Sequence, residues 1–123
     1  MHKEKDTLEF EVKFFEGIVQ RKPSHLEALK ALAELYTRAG DYEKGLDIDL
    51  KLSKLLPRDA TVQYNLACSN ALLGDTKKAI ASLRKAVILG YKDCAHMRRD
   101  PDLKSLHDEE EFKEILRICR MAS

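Results

Sequence analysis

Residues 23–57 read PSHLEALKALAELYTRAGDYEKGLDIDLKLSKLLP, and residues 58–91 continue RDATVQYNLACSNALLGDTKKAIASLRKAVILGY. Offset by 34 residues, the two stretches agree at Pro23 and Pro57, Leu32 and Leu66, and Ala33 and Ala67. They agree again at Gly40 and Gly74 and at Asp41 and Asp75, and the small residues Gly45 and Ala79 keep the same offset. So many agreements at one spacing mark an internal repeat, and a period of this length suits stacked helix pairs. In the first stretch Leu29, Leu32, Ala33, Leu35 and Tyr36 fall at the threes and fours of one helical face. Gly40 supplies a left-handed stop and Asp41 the next cap. Leu46, Ile48, Leu52 and Leu55 then form a second stripe, closed by Pro57. The second stretch repeats the plan. Asp59 caps a helix through Val62, Leu66, Ala67 and Leu73, Gly74 ends it, and Asp75 caps another through Ala79, Ile80, Leu83 and Val87 to Gly90. Ser24 and Glu27 have capping-box spacing at the start of the first pair.

On the N-terminal side the pattern predicts one more helix, from about Asp6 to Arg21. Leu8, Val12, Phe15 and Val19 form one row; Phe10, Phe14 and Ile18 form another. An arc that wide needs cover on more than one side. Toward the C-terminus, residues 91–100 hold about two helical turns, broken at Asp100-Pro101. A short LKSL turn and a last helix from Asp108 to Arg120 follow, with Asp108 and Glu111 at capping-box spacing and Phe112, Ile115, Leu116 and Cys119 on one face. Links this short force consecutive helices to pack antiparallel.

A 34-residue helix-turn-helix unit resembles the tetratricopeptide repeat. With a repeat starting at Leu26, Leu29 takes the family's Trp site, Leu32 its Leu site, Ala33 the small-residue site and Tyr36 the Tyr site. Gly45 stands where Ala is usual, and Pro57 is the closing proline. From Ala60, Leu66, Ala67 and Ala79 match, and Leu83 takes the Phe position. Asp49 occupies an aromatic site, so Ile48 or Leu50 must take over its packing; Gln63, Asn70 and Tyr91 are further departures. Gly45 inside a helix costs about 1 kcal/mol relative to Ala, which suggests a close backbone approach. The fold class implied is all-α, an αα-solenoid of antiparallel helix pairs. We read residues 1–123 as a single such domain: a capping helix at 6–22, repeats at 24–57 and 59–90, and a partial repeat with a C-terminal capping helix at 91–123.

Composition narrows the function classes. Formal net charge is +1, so the basic excess of a phosphate-gripping protein is missing. We therefore expect no nucleic acid as a partner. No stretch approaches the roughly 18 apolar residues of a membrane span, and MHKEKDTLEF has no leader-like apolar core. The expected setting is cytoplasmic, with no membrane partner. Cys68, Cys94 and Cys119 are odd in number and lack a CxxC pair, so we expect three apolar thiols rather than a disulfide framework. Cys94 and His96 make a Cys-x-His fragment that nothing nearby completes. No metal, cofactor or catalytic constellation is expected, and the chain is not expected to be an enzyme. Lys77, Lys78, Arg84, Lys85, Lys92, Arg98 and Arg99 form a basic block before an acidic one beyond Asp102; the two pair with each other or offer a patch to an acidic partner.

The family resemblance implies a concave groove lined by the first helix of each pair, holding a peptide segment or helix of another protein. In this register the partner-binding residues are Glu27, Lys30 and Glu34, then Thr61, Tyr64, Asn65 and Cys68, with Arg98 from the partial third repeat. Lys30, Asn65 and Arg98 fall on three sites where some family members clamp a terminal carboxylate. Two further clamp sites hold Glu34 and Asp102, which repel one. The expected function is an adaptor that binds a partner in this groove. The rival expectation is a self-associating homo-oligomer whose groove is filled by another copy.

Overall fold

Three turns with the same hydrogen bonding set the helix pairs. Gly40, Gly74 and Gly90 have φ of 77°, 81° and 108°, which a side chain would strain. At each, the glycine N–H reaches back to one carbonyl and the next residue to another: Gly40 to Thr37 and Asp41 to Tyr36, at 3.0 and 2.9 Å. This double bond pattern ends a helix and reverses the chain. The computed structural model describes residues 2–123, with side chains from Glu4 onward. The helices are α1 (His2–Arg21), α2 (Leu26–Arg38), α3 (Tyr42–Leu55), α4 (Ala60–Leu72) and α5 (Thr76–Ile88). After them come α6 (Cys94–Arg99), a 3₁₀ segment (Pro101–Leu106) and α7 (Glu110–Ala122). Each of α1–α5 packs on its neighbour in sequence, so the fold is an all-α solenoid.

The core has two parts joined by α4. Leu29, Leu32, Tyr36, Ile48, Leu52 and Val62 form the first, with Val12, Phe15 and Val19 of α1 against it. Tyr64, Ala67, Leu83, Met97, Leu103, Phe112 and Ile115 belong to the second. Leu103 and Leu106 of the 3₁₀ segment are fully buried, and α4 packs against both that segment and α5. The C-terminal segment therefore packs on the α4–α5 pair.

Several local expectations need correcting. Helix α1 starts at His2, a turn before Asp6, and only one of its apolar rows is covered: Phe10 is 71% and Phe14 55% exposed. Ser24 sits in the turn after Pro23, and His25 caps α2, its Nδ1 accepting from the Ala28 N–H at 3.2 Å. At α7 the N-cap is Glu109 without a side-chain cap bond, so Asp108 and Glu111 form no capping box. A Cβ on Gly45 would meet Thr37 and Tyr36 at 3.5 and 3.7 Å, ordinary contact; no close approach demands glycine there. Ile48 is the residue that takes over packing near Asp49, since Leu50 is exposed.

The cysteines also differ from expectation. Cys94, at the start of α6, and Cys119, on the buried face of α7, are joined by a disulfide with Cα atoms 5.9 Å apart. Twenty-five residues separate them in sequence, so only the docking of α7 beside α6 makes them neighbours. Cys68 is the free cysteine among the described residues, and it is buried.

Candidate functional site: an acidic groove along α2 and α4

One side of the solenoid carries a cavity of about 730 Å³, walled by α2, α3, α4 and the segment around Asp100. The spacing of α4 explains its floor. Tyr64, Asn65, Cys68, Ser69 and Leu72 recur at fours and singles on one face, and Leu66 and Ala67, both buried, fall on the other side of the helix. Lys30, Ala33, Glu34 and Thr37 do the same on α2.

Of the residues expected at a binding surface, Lys30, Glu34, Thr61, Tyr64, Asn65 and Cys68 line this cavity, and Glu27 and Arg98 do not. Glu27 shares a helical face with Lys30 and Glu34 but lies a turn beyond the cavity's end. Arg98 is turned away because α6 buries Cys94 and Met97. His96 then faces the cavity, and Arg98 lies roughly 200° further round the helix. Tyr64 is only 3% exposed and Cys68 is buried, so their side chains shape the wall more than they offer contact area. Lys30, Glu34, Thr61 and Asn65 form the more accessible part of the lining.

Asp100 organises the C-terminal wall. Its Oδ2 accepts from the Tyr64 hydroxyl at 2.6 Å and lies 3.2 Å from His96 Nε2 and 3.7 Å from the Cys68 thiol. Its Oδ1 accepts from the Asp102 N–H at 3.0 Å and so caps the 3₁₀ segment. Tyr64 also stacks on Tyr91, ring centroids 4.2 Å apart. Burial, then the bond to Asp100, holds the Tyr64 hydroxyl well above the ordinary phenol range. Burial and then the neighbouring Asp100 and Asp102 push the Cys68 thiol up as well, which favours the protonated form. Asp102 is likewise raised, chiefly by burial and then by Asp100.

On the other wall Asp49 is 4% exposed and accepts a hydrogen bond from Ser69 Oγ. Burial pushes its carboxyl up to about 6, against the lowering effect of Ser69. No salt bridge reaches it among the described residues. Repeat proteins of this pattern use the Asp49 position for an aromatic, so its acid was visible in the sequence without a meaning. Asp100 was visible only as the residue before a proline.

The chemistry open to this arrangement is narrow. Cys68, Asp100 and Asp102 bring one thiol and two carboxylates within 4.8 Å of one another, the one such donor group among the described residues. Both oxygens of Asp100 are already engaged by Tyr64, His96 and the Asp102 amide, so a metal would have to displace those contacts. Nor does the cluster read as a cysteine nucleophile. Asp100 stands between the thiol and His96, whereas nucleophilic catalysis needs the imidazole next to the sulfur.

Charge is lopsided here. Glu34, Asp49, Asp59, Asp100 and Asp102 line the cavity against Lys30 and the imidazole of His96. The expected pairing of the basic and acidic blocks is carried by Arg84 and Glu111, 3.5 Å apart and exposed, on another side of the molecule.

A family model described as A/B hydrolase-like, N-terminal domain, matches residues 34–123. Among curated proteins, the chain is 29% identical over 107 residues to a chloroplastic protein of Arabidopsis thaliana, covering 83% of this chain and 32% of that protein. It is 35% identical over 105 residues to the Protein CTR9 homolog of Arabidopsis thaliana, covering 83% of this chain and 10% of that one. The chain thus spans about a third and a tenth of the lengths of these relatives.

Proposed function

The chain belongs to the A/B hydrolase-like, N-terminal domain family, and from that premise and the groove's geometry we propose that it is a protein-interaction scaffold. It holds a segment of another protein along α2 and α4 and performs no chemistry on it. The observation that carries this reading is the open cavity formed jointly by two successive helix pairs and the C-terminal segment. A polar rim of Lys30, Thr61 and Asn65 stands over buried Tyr64, an arrangement suited to backbone and side-chain contacts with an extended chain. The family description carries the word hydrolase, whereas the present reading rests on the shape and lining of the groove. No described helix is long and apolar enough to cross a membrane. One relative's name places that relative in the chloroplast, so that compartment stands beside the cytoplasm as a setting.

The test uses a photo-crosslinking amino acid at Asn65, with the same probe at Ile88 on the exposed face of α5 as the control. Groove binding gives adducts with a heterologous protein from Asn65 and none from Ile88. Adducts from Ile88 alone would move the site off the groove. Alanine substitutions in this test belong at Lys30, Thr61 and Asn65, because truncating buried Tyr64 would damage the core.

A second reading rests on its own observation. The exposed Phe10 and Phe14 sit one turn apart on α1 and make an apolar stripe that a second copy of the chain would cover. Sedimentation at rising concentration tests it. A mass that doubles in the native chain and stays single in a Phe10→Ser, Phe14→Ser variant supports self-association through α1. A single mass in both removes it.

A further inference from the structure

We propose that the segment held in this groove is basic, with a lysine or arginine side chain seated between Asp49 and the Asp100–Asp102 wall. This rests on the scaffold reading above and specifies its partner. The argument is charge complementarity within a formed cavity rather than acidity alone. Five carboxylates arrive from α2, α3, the α3–α4 link and the C-terminal segment, and they converge on a space of about 730 Å³. Against them, Lys30 is the sole lysine or arginine among the described lining residues.

The five acids are not equally satisfied. Glu34 pairs with Arg38 outside the groove, Asp59 caps α4 through the Val62 N–H, and Asp100 has Tyr64, His96 and the Asp102 amide. Asp49 has no cation beside it among the described residues, and Asp102 has only the attraction of His96, with no salt bridge between them. Asp49 is the more telling, because an ionised carboxylate 4% exposed with one hydroxyl partner is costly for the fold. Concave walls of low dielectric concentrate the field of such charges into the cavity. An ammonium or guanidinium entering there gains the attraction and relieves the repulsion between Asp100 and Asp102. Apolar surface from half-buried Leu72, above buried Leu52 and Val62, lies alongside, suited to the aliphatic stem of the same side chain. An acidic segment or a free C-terminal carboxylate would meet the opposite field. That separates this groove from the carboxylate clamp, despite Lys30 and Asn65 at two of the clamp's sites.

The probe is a library of random dodecapeptides selected against the whole chain, in parallel with an Asp49→Asn, Asp102→Asn variant. The inference expects native selections enriched in Lys and Arg. Binding of the selected peptides should weaken with added salt and fall about tenfold or more in the double variant. Amide shifts on binding should centre on Lys30, Asn65 and Asp102. Selected peptides that are neutral or acidic but shift the same amides would overturn the inference and leave the groove reading standing. Peptides that bind equally well to the variant would also overturn it. Selections that shift nothing along α2 and α4 would remove both readings. Zinc alone, bound tightly at Cys68 and Asp102 and blocking all peptide selection, would overturn it in favour of a metal site.

Discussion

Burial between α3 and α4 pushes the Asp49 carboxyl up to about 6 from an ordinary 3.8, so the folded chain holds this proton more tightly than the unfolded one. The resulting stability is fully present below about pH 4 and is lost as the pH rises through about 6. For a buried group that loss is on the order of 3 kcal/mol. Asp49→Asn keeps a partner for Ser69 and removes the charge. The variant should unfold at higher urea than the native chain at neutral pH, and the gap should close toward pH 4. A native urea midpoint that is flat between these values would contradict the assignment. The same substitution is expected to weaken binding of a basic segment, a trade between stability and function familiar at binding sites. Gly45 gives a second residue-level prediction. Since a methyl group meets only ordinary contacts there, Gly45→Ala should stabilise the chain by about 0.5–1 kcal/mol. A lowered melting temperature would show that the backbone of α3 needs glycine after all.

Among the elements, the C-terminal segment supplies much of the second part of the core. Leu103, Leu106, Phe112, Ile115 and Cys119 are buried against α4 and α5. Each large apolar side chain so placed contributes about 1.5–3 kcal/mol of burial. Deleting residues 103–123 should therefore abolish cooperative unfolding, read by circular dichroism in urea. A truncated chain with the native transition would sink this. The gentler Leu103→Ala should cost about 2–5 kcal/mol. The Cys94–Cys119 disulfide ties the start of α6 to the end of α7. Alkylation in denaturant without reductant should label Cys68 alone, and labelling of all three would remove the bond. Helix α1 behaves differently. Its Val12, Phe15 and Val19 are packed, while Phe10 and Phe14 remain on the surface.

Across the whole molecule, α4 belongs to both halves of the core. Val62 packs with α2 and α3, and Tyr64, Ala67 and Ala71 pack with α5 and the C-terminal segment. One helix shared by two clusters couples their unfolding. Hydrogen exchange should be slowest in α4, with α1 the first to open. If α5–α7 exchanged as a unit independent of α2 and α3, that coupling would be absent.

The 34-residue period, the three glycine turns and the helix stripes were legible in the chain itself. They depend on local rules: helical spacing of apolar residues, and a backbone conformation that glycine adopts freely. The resemblance to the tetratricopeptide repeat also named six residues that line the cavity, because its register sets which of them share a face. Local reading failed wherever an outcome depended on two elements meeting. Ser24 and Asp108 had the spacing of caps, yet each helix starts one residue later than they imply, at His25 and Glu109. Cys94 and Cys119 looked unrelated until α7 docked beside α6. Arg98 belonged to the groove in register, but burial of Cys94 and Met97 turned it outward and brought His96 in. The sign of the groove was likewise a tertiary outcome. Asp49, Asp59, Asp100 and Asp102 are scattered along the sequence, and only the packing of α3, α4 and the C-terminal segment gathers their charges into one low-dielectric space.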